Sequence, residues 1–269
     1  MPELVAEPEK QEERQMNSMS LLQHLEELRR RIIYSAASVA VCTGIGWWFV
    51  RDKIFPFIQK PIIEALVKNN QDPHLTYLNP TDPFNMYLKV GLMAGIFMAC
   101  PIVLYQLWMF ISPGLYRREK KFIIPFLLLS VGLFLSGGTF GYKVVFPVAM
   151  DFLINYSDGF KATVTVSEYT GLFLTIILGL SVIFELPIVL GFAALMGVVD
   201  AKFLLRHIRG AVLLFFIIAA VLSPTTDIMN MTIYAAPMVL LYIMSIGIAW
   251  LVHPKQRRKR EEKRKSRQD

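Results

Sequence analysis

Long runs of residues without charge constrain this chain more than any other feature. Residues 32–50 contain no Asp, Glu, Lys or Arg across 19 positions and close on Trp47 and Trp48. As a helix such a run is about 28 Å long, near the hydrocarbon thickness of a bilayer, and indole rings favour the headgroup layer. It is too long for a signal-peptide core and lacks a small-residue cleavage site, so it is expected to stay in the chain. Further apolar runs occupy residues 84–111, 122–142, 172–199, 210–222 and 228–252. With 54% hydrophobic and 18% charged residues, the 269-residue chain carries more apolar surface than one soluble core needs. The fold class is an all-α integral membrane protein.

Bases mark which ends of these runs face the cytoplasm. Arg29, Arg30 and Arg31 precede the first run, and Arg117, Arg118, Lys120 and Lys121 separate the second from the third. Lys202, Arg206 and Arg209 separate the fourth from the fifth, and nine bases follow the last run within residues 255–267. Residues 51–83 hold four bases against four acids, and residues 143–170 two against three, so both read as outer loops. The pattern predicts six transmembrane helices with the N-terminus and C-terminus cytoplasmic, a multi-pass plasma membrane protein. Four spans plus a re-entrant hairpin from residues 210–252 would keep the same parity. Residues 210–222 give only about 20 Å of helix, so the last two spans are expected to be short. Orientation accounts for the net charge of +7 without a nucleic-acid partner.

The chain then divides into a disordered tail (1–19), a six-span membrane domain (20–252) and a basic cytoplasmic tail (253–269). A face of Leu21, Leu25, Leu28 and Ile32 at helical spacing suits a stretch along the membrane surface. Within the first outer loop, five prolines leave room for a short interfacial helix at residues 61–67. Ser136, Gly137, Gly138 and Gly141 would let a neighbouring helix come close.

No HExxH, GxSxG, P-loop or dinucleotide fingerprint occurs, and the four histidines are scattered, so no catalytic, metal or cofactor site is predicted. Cys42 and Cys100 lie inside apolar runs and read as core residues. Chemistry concentrates instead at two cytoplasmic boundaries. His24–Arg31 reads HLEELRRR, in which Glu26 with Arg30 and Glu27 with Arg31 are i,i+4 pairs. Leu104–Phe122 reads LYQLWMFISPGLYRREKKF, where aromatics give way to four bases around a single acid, Glu119. Two other acids stand out. Glu185 lies inside an apolar run, where it is either a protonated acid bonded to a neighbouring helix or a functional group; Asp227 sits at a span end, where an N-cap suffices.

With HLEELRRR, PIVLYQLWMFISPGLYRREKK from Pro101, FELP around Glu185 and the Ser-Pro to Asp227 turn in view, the chain resembles the TatC family, the polytopic receptor subunit of the twin-arginine translocase. The resemblance runs from about Ser20 to Leu251. It implies a cupped six-span bundle that binds twin-arginine signal peptides and exports folded proteins with small single-span subunits, driven by the protonmotive force; it leaves self-association open. By position, Glu27, Arg29 and Glu119 would bind the signal peptide, with His24, Leu28, Phe110, Tyr116 and Arg117 supporting that face. Glu185 would be the intramembrane acid, Pro61 an outer-loop proline and Asp227 the acid after the fifth span. Two departures stand: SPTTD replaces the commoner TPPD, and Ile243 stands where many members have Glu. The rival reading from another class is a proton-coupled secondary transporter using Glu185.

Overall fold

Helices this apolar leave almost no backbone for water to solvate, so each rod satisfies its own hydrogen bonds and packs against the next. In the computed structural model, which describes residues 21–112, 123–156, 163–223 and 227–252, α1 (Leu21–Phe49) passes through a π-helical turn (Val50–Ile54) into α2 (Phe55–Lys68), and α3 (Asp82–Ile111) returns. Then α4 (Ile123–Phe140) passes through a second π-helical turn (Gly141–Val145) into α5 (Phe146–Tyr156). The chain continues as α6 (Val166–Ile183), α7 (Leu186–Leu195), the short α8 (Ala201–Arg206), α9 (Ile208–Leu222) and α10 (Ile228–Val252). Among the described residues no strand forms; Thr76 and Thr165 make one isolated bridge. Five segments are long and apolar enough to cross a membrane, namely Gln23–Lys68, Asp82–Ile111, Ile123–Tyr156, Val166–Leu195 and Met231–Trp250, and Ile208–Leu222 is a shorter apolar helix.

Several expectations need correction. The first outer loop is largely helical, since α2 starts at Phe55 and not at residue 61, and the expected second outer loop contains α5. The same local cause acts twice. Pro56 and Pro147 each stand two residues past a π-helical turn, each after a Phe. A proline ring collides with the carbonyl four residues back, here that of Asp52 or Lys143, and a widened turn moves that carbonyl aside without ending the helix. Helix resumes because Ile58, Ile62 and Leu66 in α2, and Phe146, Ala149 and Met150 in α5, keep a buried face at helical spacing.

The fourth run begins six residues before residue 172, where Thr165 accepts a hydrogen bond from the Glu168 amide at 3.3 Å. It is broken at Glu185, just ahead of Pro187. Its end is fixed by Gly197 at φ +77°, with the Val198 amide donating to the Ala193 carbonyl at 3.0 Å and the Gly197 amide to that of Ala194 at 3.1 Å. Residues expected as the third cytoplasmic loop form α8, whose first turn is capped by the Asp200 carboxylate, 2.6 Å from the Phe203 amide. The fifth helix is short as expected, 15 residues or about 22 Å, but α10 has 25 residues, about 37 Å, so the last helix is not short. Leu25 and Ile32, expected on a surface-lying stretch, belong to the rod of α1 itself.

Close approach of backbones sets the packing. A Cβ on Gly95 of α3 would lie 2.7 Å from the Thr43 Cα of α1, so only glycine permits this crossing. The Ser-Gly-Gly stretch behaves as expected: a Cβ on Gly137 would lie 2.7 Å from the Leu180 carbonyl oxygen of α6. At one end, Phe146, Tyr169 and Phe173 pack together, the Tyr169 hydroxyl donates to the Ile58 carbonyl and the Tyr142 hydroxyl to that of Phe57 at 2.8 Å. These bonds seat α2 across the bundle, and we call this the cap end. At the opposite end His24 of α1 stacks on Phe110 of α3, Trp108 packs on Phe126 of α4, and Gly191 of α7 abuts Ile248 of α10. The first and last described helices therefore reach the same side, the motif end.

Candidate functional site

At the motif end the first turns of α1 lie against the last turns of α3. Local spacing brings Arg31 over Glu27, one turn apart, with Nη2 donating to Glu27 Oε1 at 3.2 Å. The other arm of the fork, Nη1, donates to Gln106 Oε1 of α3 at 2.9 Å, so one guanidinium ties the acid to the neighbouring helix. The side chains of Glu27 and Arg31 are 20% and 23% exposed, which leaves them only partly screened by water. Glu27 Oε2 has no hydrogen-bond partner among the described residues. His24 and Phe110 close the adjacent side, their rings 4.5 Å apart and 23° from parallel. Arg29 is exposed and Leu28 half-buried beside them. The expected Glu26–Arg30 pair is absent among the described residues; Arg30 lies over the Tyr34 ring, 5.5 Å from its centroid. Tyr116, Arg117 and Glu119 lie outside the described residues, so the structure brings together Glu27, His24 and Phe110 and leaves the loop acid unplaced.

Glu185 occupies a second polar site, at the break between α6 and α7. Its Oε2 accepts from the Ser130 hydroxyl of α4 at 2.8 Å, and that hydroxyl accepts from Trp108 Nε1 of α3 at 3.4 Å. Its Oε1 is buried with no partner among the described residues, a standing cost in apolar surroundings. Trp108 is three residues from the end of α3, about 4.5 Å, and Ser130 is seven from the start of α4, about 10 Å. The carboxyl thus sits in the motif-end part of the bundle, not at its centre. Phe126 and Phe192 surround the indole, with centroids 5.6 and 4.8 Å away.

Pro61 is buried in α2 at the cap end, beside a groove of about 270 Å³ shared with Glu64, Lys68 and Asp151. Asp227 directly precedes α10, where its carbonyl accepts from the Met231 amide at 3.0 Å, the N-cap position. Ile243 is 54% exposed on α10 and meets its surroundings as an apolar side chain. Among the described residues no cluster of metal-ligating side chains occurs. Sequence reasoning did not single out Gln106 or Ser130. The available signal was that each is a hydrogen-bonding residue within a run otherwise almost free of polar side chains.

These features define a polytopic helical membrane protein in which the Glu27 and Glu185 sites both lie toward the motif end. Residues 23–237 match the family model of TatC, the Sec-independent protein translocase protein. The chain is 56% identical over 247 residues to the Sec-independent protein translocase protein TatC of Koribacter versatilis, covering 92% of this chain and 91% of that protein. It is 33% identical over 244 residues to the TatC of Aquifex aeolicus, covering 89% and 98%. A crystal structure of the twin arginine translocase receptor TatC superposes with a TM-score of 0.74 at 32% identity, covering 85% of this chain and 99% of that one. A second, in DDM, gives 0.76 at 32% identity over 84% and 99%. The chain belongs to the TatC family, and its role is that of a membrane-embedded component of a protein translocase, transport and not catalysis.

Proposed function

We propose that this chain is the receptor and core subunit of a twin-arginine translocase, binding twin-arginine signal peptides at the motif end. The observation that carries the reading is the Glu27 carboxylate: partly buried, steadied by Arg31 on one oxygen, with no partner on the other among the described residues, and one turn from the His24–Phe110 stack. An incoming guanidinium needs such a partly desolvated carboxylate, where a two-bond fork gains over water. Glu119, one acid among four bases in the next loop, would take the second arginine, and Arg29 would help set the register. The flanking bases exclude partners without a matched arrangement of charge. The motif end faces the cytoplasm, both termini lie there, and all six apolar helices span the cytoplasmic (inner) membrane, in accord with the bases counted at each boundary. The subunit works with small single-span subunits in the bilayer, and the protonmotive force drives export of folded proteins. Family membership in protein translocation disfavours the solute-carrier reading of Glu185.

Isothermal titration of the purified protein with a signal peptide tests this. Glu27→Gln and Glu119→Gln should each weaken binding by about 1.5 to 3 kcal/mol, roughly 10- to 150-fold. A peptide with two lysines in place of the arginines should bind more weakly than charge alone predicts, because an ammonium cannot form the planar fork. Unchanged affinity in both variants would end the proposal.

A further inference from the structure

The two π-helical turns, Val50–Ile54 and Gly141–Val145, come from separate Phe-Pro pairs yet border the same groove. Exposed Phe57, Met98 and Leu135 form its rim, its volume is about 670 Å³, and it runs between α3 and α4 over a floor of Phe173 and Ile177 from α6. π-Helical turns are rare and frequently mark functional sites.

The lining carries almost no free polarity. Thr139 Oγ1 is held by the Leu135 carbonyl at 2.8 Å, and the Tyr142 hydroxyl by the Phe57 carbonyl at 2.8 Å. Its small residues are already used within the chain: a Cβ on Gly138 would lie 2.6 Å from the Phe97 ring, and Ala94 faces Gly46 of α1. One charged side chain lines the groove, Lys143, which is exposed and has no ion-pair partner among the described residues. Leu135, at the deep end, lies eight residues before Lys143 on the same rod, about 12 Å along the axis. That is close to the hydrocarbon depth of one leaflet, about 15 Å.

We infer that this groove binds a phospholipid, with an acyl chain along Leu135, Phe97 and Ile177 and the phosphate on the Lys143 ammonium. The charge pattern favours lipid over a partner helix. Membrane helices associate through small residues and shared hydrogen bonds, and this surface offers neither in free form. A volume of about 670 Å³ suits one acyl chain, the second staying in the bilayer, and falls within the about 300 to 1,000 Å³ ordinary for a small-molecule site. The widened turn at Gly141–Val145 carries Lys143 itself, at the mouth of the groove.

The test is native mass spectrometry of the full chain, purified in detergent, stripped of lipid and then titrated with phosphatidylglycerol or with diacylglycerol of the same acyl chains. One phosphatidylglycerol should be retained per chain, and diacylglycerol, lacking the phosphate, about tenfold less tightly, the scale of a lost charge-assisted contact. Lys143→Gln should lose phosphatidylglycerol to a similar degree, Lys143→Arg should keep it within about twofold, and Leu135→Trp should block the deep end and lose both lipids. Thermal melts of each variant separate lipid loss from unfolding, and Lys143, on the exposed face, is the substitution least able to disturb the fold. Equal retention by wild type, Lys143→Gln and Leu135→Trp overturns the inference, as does retention of diacylglycerol equal to phosphatidylglycerol. Displacement of the lipid by a synthetic single-span helix at equimolar concentration would assign the groove to a protein partner and also overturn it.

Discussion

Arg31 is the residue on which the motif end depends, because one guanidinium holds Glu27 with one arm and Gln106 with the other, while its buried Nε has no partner among the described residues. The guanidinium meets these two acceptors with separate nitrogens of one rigid plane, whereas an ammonium would have to reach both from a single nitrogen. Gln106→Leu removes the α3 anchor and leaves a partly buried cationic donor unmet, which costs about 1 to 3 kcal/mol. The expected result is a lower melting temperature together with signal-peptide affinity reduced several-fold. Titration and thermal denaturation of the same preparation check both, and unchanged affinity would show that the anchor does not orient Glu27. Half of this arrangement was legible in the sequence. The Glu27–Arg31 contact is local, one helical turn, and spacing alone predicts it. The Arg31–Gln106 bond joins residues 75 apart, and no periodicity encodes which of several bases in HLEELRRR will meet a partner helix. Arg30 shows the limit of spacing, since its cation lies over Tyr34 and not beside Glu26.

Among the elements, α2 shows which contacts hold the cap end together. Lys68 of α2 and Asp151 of α5 meet at 2.9 Å, yet Lys68 is 68% exposed, so Lys68→Ala should change stability by no more than about 1 kcal/mol. The Tyr169 hydroxyl, in contrast, is buried and satisfies the Ile58 carbonyl, an acceptor at the heart of α2. Tyr169→Phe removes this buried bond, while the Ile62 amide one turn on still donates to the same carbonyl, so it should cost about 0.5 to 1.5 kcal/mol. Chemical denaturation in mild detergent compares the two, and a larger loss from Lys68→Ala than from Tyr169→Phe would mean that the exposed ion pair, not the buried bond, seats α2. The glycine crossing of α1 and α3 is stricter. Gly95→Leu places side-chain atoms where the Thr43 backbone already lies, so the helices must separate and the protein should fail to assemble or melt far lower, while Gly44→Ala, with open space around it, should be tolerated. Existence and order of the long helices were legible from apolar runs and bases. Their continuity through residues 50–56 and 141–147 was not, because proline reads locally as a stop. Only the buried face beyond each Phe-Pro pair decides that a widened turn costs less than ending the helix.

For the whole molecule, α9 is the element that decides how the bundle sits in the bilayer. At about 22 Å it falls short of a hydrocarbon core of about 30 Å, a mismatch that a membrane meets by local thinning at fractions of a kcal/mol per Å. Thinning is affordable over 8 Å, so six spans remain the expected arrangement. A re-entrant hairpin of α9 and α10 would instead leave the start of α10 within the membrane. The two differ in what they predict for Ile228, which is 76% exposed at the first position of α10. In a chain whose Cys42 and Cys100 are replaced by Ala, single cysteines at Gln23 and Lys202 sample the motif end, at Asn70 and Leu78 the cap end, and at Ile228 the contested position. An impermeant thiol reagent should reach the first two only from the cytoplasm and the other three only from outside. Labelling of Ile228→Cys from neither side, with the remaining four as expected, would establish the hairpin and remove the six-span arrangement; labelling of Asn70→Cys from the cytoplasm would invert the orientation and place Glu27 where no cytoplasmic signal peptide could reach it.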